Sequence, residues 1–104
     1  KPDQARVVRA KQDINAIQSA LDLYRLDNGV YPSTDQGLAA LVTQPTIPPI
    51  PQNWHPYLHE LPMDPWNRPY QYSMPGKNGA FDIYSLGADG APGGENDNAD
   101  IYGD

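Results

Sequence analysis

From Val7 to Tyr24 the apolar residues recur at a helical period. Val7, Ala10, Ile14, Ile17, Leu21 and Tyr24 step by three or four, so they share one face of a helix. Arg6, Arg9, Gln12, Asp13, Asp22 and Arg25 fall largely outside that stripe. The pattern predicts one long helix over residues 3 to 27. Asn28 and Gly29 supply its stop, because both tolerate the left-handed conformation of a helix end. At about 1.5 Å per residue such a helix is roughly 37 Å long. That is long for a small body, so one end is expected to project or to continue upstream, with the C-terminal half packed on the core.

Beyond residue 28 the period changes and weakens. Ser33 and Gln36 fit a capping box, and Leu38, Leu41 and Val42 give an apolar face, which predicts a second, shorter helix ended by Pro45. Residues 45 to 62 hold Pro45, Pro48, Pro49, Pro51, Pro56 and Pro62, which exclude a helix or a central strand. Trp54, Tyr57, Leu58 and Leu61 punctuate this run, so an ordered surface loop is expected rather than a flexible linker. Asp64-Pro65-Trp66 reads as a turn in which Asp64 caps backbone groups. Residues 70 to 72 and 81 to 85 read as strands joined through residues 75 to 79, and an edge strand or two more are left to the loops.

Composition sharpens this picture. A chain of 104 residues suits a single domain with a modest core. It carries 12 prolines and 9 glycines, nearly all after residue 28, so a loop-rich body follows the helix. Such loops often need a staple, and with no cysteine that staple is neither a disulfide nor a thiolate metal site. A net charge of −6 leaves no basic surface for phosphates and argues against nucleic acid as a partner.

The charge is also unevenly placed. Lys1, Arg6, Arg9, Lys11 and Arg25 lie in the helix region, whereas only acids follow Lys77: Asp82, Asp89, Glu95, Asp97, Asp100 and Asp104. The stretch from Leu86 to Asp100 interleaves glycines with Asp89, Glu95, Asn96, Asp97, Asn98 and Asp100. Calcium takes six to eight oxygens from carboxylates, amides and carbonyls, and glycines let carbonyls turn inward. Crowded carboxylates repel without a cation and are drawn together by one. Asp89 and Asp100 have the spacing of the outer EF-hand positions, yet Ala91 and Gly93 occupy inner ligand places and no helix flanks the run. By itself the run fits either a calcium loop or a solvated acidic tail; magnesium, which demands octahedral geometry, suits it less.

No catalytic constellation emerges. His55 and His59 stand four apart, but Pro56 prevents the helix that would align them, so they read as surface loop residues. Ser33, Ser73 and Ser85 have no evident His/Asp partners in a nucleophile arrangement. No glycine-rich stretch lies between a strand and a helix as a phosphate loop would.

Three runs in register carry a resemblance: residues 26–38 (Leu26-Asp27-Asn28-Gly29-Val30-Tyr31-Pro32 onward), residues 61–72 (Leu61-Pro62-Met63-Asp64-Pro65-Trp66 onward) and residues 81–90 with Gly93, Gly94 and residues 99–101. Together they resemble the major pseudopilins, the G subunits of the type II secretion system. That family usually reads Trp-Gly-Asn-Pro where this chain has Trp66-Asn67-Arg68-Pro69. The resemblance implies an α+β, type IV pilin-like fold: a long N-terminal helix packed on a small antiparallel sheet, with a calcium-stapled C-terminal loop. It implies no enzyme. It implies a structural subunit that associates with its own copies into a helical filament, the pseudopilus, which drives folded exoproteins across the outer membrane. Minor pseudopilins and inner-membrane secretion components are the implied partners. Family members begin with a cleaved leader and a hydrophobic helical segment, and are methylated. The chain thus corresponds to the soluble portion on the periplasmic face of the inner membrane. Carried over residue by residue, the calcium ligands implied are Leu86 through its carbonyl, Asp89, Asn96, Asp97, Asn98 and Asp100. Asn96 and Asn98 stand where members often carry acids, so they bring oxygen without charge. Two other readings compete: a type IV pilin fibre subunit, which commonly closes this loop with a disulfide, and a free calcium-dependent binding module with its ligand near Trp54 and Trp66.

Overall fold

The computed structural model describes residues 4–77, 79–90 and 100–102. Helix α1 runs Gln4–Asn28, a 3-10 turn spans Leu38–Leu41, and three short strands follow: β1 Gln71–Ser73, β2 Asp82–Ser85 and β3 Ile101–Tyr102. The strands form one sheet in the order β1-β2-β3. β2 and β3 run antiparallel, with Tyr84 opposite Tyr102 and Ser85 opposite Ile101. This is the α+β arrangement of a long helix and a small sheet. No described helix is long and apolar enough to cross a membrane.

The apolar stripe of α1 does what its period requires. Ala10, Ile14, Ile17, Leu21 and Tyr24 are buried, with Ala20 beside them, and Val7 is half-buried. Burial thus starts at Ala10, earlier than the C-terminal half alone. Residues 4–9 contribute no buried side chain. The helix stops at Gly29, which sits at φ 83° and donates its N–H to the Arg25 carbonyl at 2.7 Å. The Asn28 side chain donates to the Tyr24 carbonyl at 3.1 Å, capping another of the last carbonyls.

The described chain groups into two compact units, each drawing on α1 and on strand residues. One comprises residues 1–16, 62–71 and 83–104. It buries Ala10, Ile14, Asp64, Tyr70, Ile83, Ser85 and Ile101. Arg9 donates to the Met63 carbonyl at 2.7 Å, and the Tyr70 hydroxyl donates to Asp13 at 2.8 Å. Tyr84 and Tyr102 stack across β2 and β3, with centroids 5.0 Å apart. β3 has only two residues, too short to show alternation, and the sequence placed no strand there.

The other unit comprises residues 17–61 and 72–82 and buries Ile17, Ala20, Leu21, Tyr24, Leu38, Ala40 and Leu41. Here the expected second helix shrinks to the four-residue 3-10 helix Leu38–Leu41. The reciprocal exchange is present: the Gln36 N–H donates to Ser33 Oγ at 3.1 Å, and the Ser33 N–H donates to Gln36 Oε1 at 2.8 Å. However, it closes a turn rather than a helix. Gly37 follows at φ 67°, outside the helical region, so only the 3-10 turn remains. Gln36 is put to another use. Its amide nitrogen donates to the carbonyls of Ile47 and Pro49, at 2.7 and 2.8 Å, from a buried position.

The proline-rich loop is ordered, as its aromatic content predicts. Trp54 Nε1 donates to the Ala40 carbonyl at 2.7 Å, and the N–H groups of Tyr57 and Leu58 both donate to the Leu41 carbonyl. Tyr57 packs against Tyr24 and Trp54, at centroid distances of 5.5 and 6.4 Å.

Tyr70 and Tyr72, one in each unit, have hydroxyls pushed far above their ordinary range. Burial is the main cause for both; for Tyr70 the hydrogen bond to Asp13 and that carboxylate's charge add to it. Both phenols are neutral in folded and unfolded chains below about pH 10, so their contribution is complete there. Above that, the unfolded chain ionises first and stability is lost. Thermal melts should therefore hold up to about pH 10 and fall as the pH rises above it, and the fall should be shallower in Tyr70→Phe.

Candidate metal centre

The acidic run begins where β2 ends, and the turn around Asp64 sets that end. Asp64 is fully buried. Its Oδ1 accepts the N–H groups of Trp66 and Arg68, at 2.9 and 2.8 Å, which is the turn-capping role expected for it. Its backbone exchanges further bonds with Asn67 and Arg68. Asn67 takes φ 63°, a conformation that favours glycine and that asparagine tolerates better than most residues. That explains how this chain carries Asn67 where the resembled family usually has glycine.

The second carboxylate oxygen of Asp64 faces β2. Ser85 Oγ donates to Asp64 Oδ2 at 2.9 Å and accepts the Gly87 N–H at 3.1 Å. Ser85 thus gains an acidic partner, though not in a nucleophile arrangement. Both groups are fully buried and no histidine joins them, so the pair fixes backbone rather than forming a nucleophile. Arg68, which the sequence did not connect to this region, also reaches it. Its Nη1 donates to the carbonyls of Gly87 and Ala88, at 3.4 and 3.3 Å. A β-carbon on Gly90, which sits at φ 65°, would run into the Arg68 guanidinium.

Of the six ligands carried over, Leu86, Asp89 and Asp100 fall among the described residues. Asn96, Asp97 and Asn98 lie outside them. Leu86 is half-buried at the end of β2, Asp89 is exposed in the turn that follows, and Asp100 is half-buried at the start of β3. Antiparallel pairing of Ser85 with Ile101 puts the residues next to them, Leu86 and Asp100, at the same end of the sheet. One carboxylate oxygen of Asp100, Oδ1, is buried and accepts no hydrogen bond, although the residue makes other interactions. A carbonyl, an exposed carboxylate and a part-buried carboxylate are hard oxygen donors of the kind calcium takes, so the donor chemistry fits. Among the described residues no three acidic or histidine side chains converge on one point, so these residues alone do not form a full cation shell.

The two histidines behave as surface residues. His55 is exposed, stacks on Tyr57 at 4.1 Å and pairs with Asp27 at 2.9 Å, and His59 is exposed.

Comparison with known proteins bears on the chain as a whole. The family model for type II secretion system protein G matches residues 1–104. The chain is 60% identical over 103 residues to the type II secretion system core protein G of Pseudomonas aeruginosa, covering 97% of this chain and 72% of that protein. It is 53% identical over 103 residues to the corresponding protein of Vibrio cholerae, covering 97% and 68% respectively. Among solved structures, it resembles the major pseudopilin from the type 2 secretion system of enterohaemorrhagic Escherichia coli, with a TM-score of 0.87 and 45% identity over 96% of this chain and 87% of that one.

Proposed function

Because the chain belongs to the protein G family of the type II secretion system, and is thus a major pseudopilin subunit rather than an enzyme, we propose that it assembles with its own copies into a periplasmic filament that moves folded exoproteins across the outer membrane. In this reading the full-length subunit is held in the inner membrane by an apolar N-terminal helical segment. Minor pseudopilins and inner-membrane components of the system are its partners.

Calcium is the staple of the subunit in this proposal. Leu86 through its carbonyl, Asp89 and Asp100 hold the ion, with Asn96, Asp97 and Asn98 completing the shell. The observation that carries the calcium reading is the placement of Leu86 and Asp100 at one sheet end with Asp89 in the adjoining turn. The ion would supply the cross-link between β2 and β3 that a cysteine-free chain lacks.

The full-length protein with Asp89→Ala, returned to a secreting strain that lacks its own copy, should lose most exoprotein secretion at low calcium. His55→Ala should secrete normally. Equal secretion by the two variants would overturn the assignment of calcium to this loop.

A further inference from the structure

The proposed ligand at Leu86 is a backbone oxygen, and its direction is set by a buried relay. The carbonyl of Leu86 and the N–H of Gly87 belong to one planar, trans peptide unit, so fixing one fixes the other, pointing the opposite way. The Gly87 N–H is held by Ser85 Oγ at 3.1 Å, and Ser85 Oγ is itself held by Asp64 Oδ2 at 2.9 Å. Asp64 is immobilised in turn by the N–H groups of Trp66 and Arg68. Every member of this chain of bonds lies within one compact unit, and Asp64 and Ser85 are fully buried. The next two carbonyls, of Gly87 and Ala88, face the Arg68 guanidinium instead.

From this the geometry points to Ser85, supported by Asp64, as a positioning residue for the calcium loop: it aims the Leu86 carbonyl at the ion without touching it. The inference rests on the calcium reading above. The relay belongs to a turn more than fifteen residues before the loop, so the turn at 64–69 and the cation site operate as one piece. Partners that orient a ligand from behind typically change metal affinity by about 10–100-fold when removed.

Direct titration of the chain with calcium, by calorimetry at a temperature where every variant is folded, tests this. Ser85→Ala removes the relay and Ser85→Cys weakens it while keeping its shape; neither changes the charge near the ion. A calcium affinity about 10–100-fold lower in Ser85→Ala, with a smaller loss in Ser85→Cys, is the expected result. A role in stability alone would lower the melting temperature of the calcium-free protein and leave the affinity of the folded chain untouched. Affinity equal to the wild type in either variant would therefore overturn the inference. If Ser85→Ala does not fold, Ser85→Cys decides by the same comparison. Absence of binding by the wild type would sink the calcium reading and the inference with it, which sets that failure apart from a wild type that binds and variants that bind equally.

Discussion

Asp64→Ala should destabilise the chain by about 3–5 kcal/mol, a large share of the 5–15 kcal/mol typical of a small domain. The carboxylate is fully buried and satisfies three donors, the N–H groups of Trp66 and Arg68 and the Ser85 hydroxyl. Truncation strands those donors away from water, at about 1–3 kcal/mol for each that finds no substitute. It also leaves a small void. The melting temperature should drop by more than 10 °C, at about 4–8 °C per kcal/mol for a domain of this size. A drop of under 3 °C in a thermal melt would show that water replaces the carboxylate, and that the turn at 64–69 does not depend on it.

The second large effect belongs to the other unit. Tyr24→Ala should cost about 3–5 kcal/mol, as truncations of large buried aromatics do. Tyr24 is fully buried at the end of the apolar stripe, with Leu21 and Ile17 one and two turns before it, and its ring packs on Tyr57. Its loss opens a cavity that neither the helix nor the proline-rich loop can close without breaking the bonds from Tyr57 and Leu58 to Leu41. Leu26→Ala provides the contrast. Leu26 is 78% exposed, so the same kind of truncation on the opposite face should change stability by less than about 0.5 kcal/mol. Chemical denaturation of the two variants side by side checks both values, and similar losses would contradict the assigned burial.

These two residues also show what was legible beforehand. Tyr24 is readable because a helix repeats over neighbouring positions, so the six residues of the stripe mark the buried face without tertiary knowledge. Asp64 is readable only in part. Its bonds to Trp66 and Arg68 are short-range turn chemistry, which the Asp64-Pro65-Trp66 sequence predicts. Its bond to Ser85 joins residues 21 apart, and no local pattern encodes that. The shortening of the second helix has the same origin. Ser33 and Gln36 make the paired bonds of a capping box, but one residue later Gly37 takes a positive φ and the chain turns away. β3 was invisible because two residues carry no period, and its place is set by pairing with Ser85 and Tyr84. For the proposed cation loop, the sequence offers Leu86, Asp89 and Asp100 as candidate donors in order. The bonds of Ser85 to Gly87 and of Arg68 to Gly87 and Ala88 were not legible, since they join a distant turn.

The loop from Leu86 to Asp100 is where fold and function meet in this account. A thermal melt of the purified chain in calcium, after chelation, and after addition of magnesium alone tests it most directly. With calcium about a hundredfold above its dissociation constant, an ion bound only by the folded state adds about 2.7 kcal/mol, or roughly 10 °C or more. Chelation should lower the melting temperature by that amount, calcium should restore it, and magnesium should not. Identical melts in all three conditions would contradict the account.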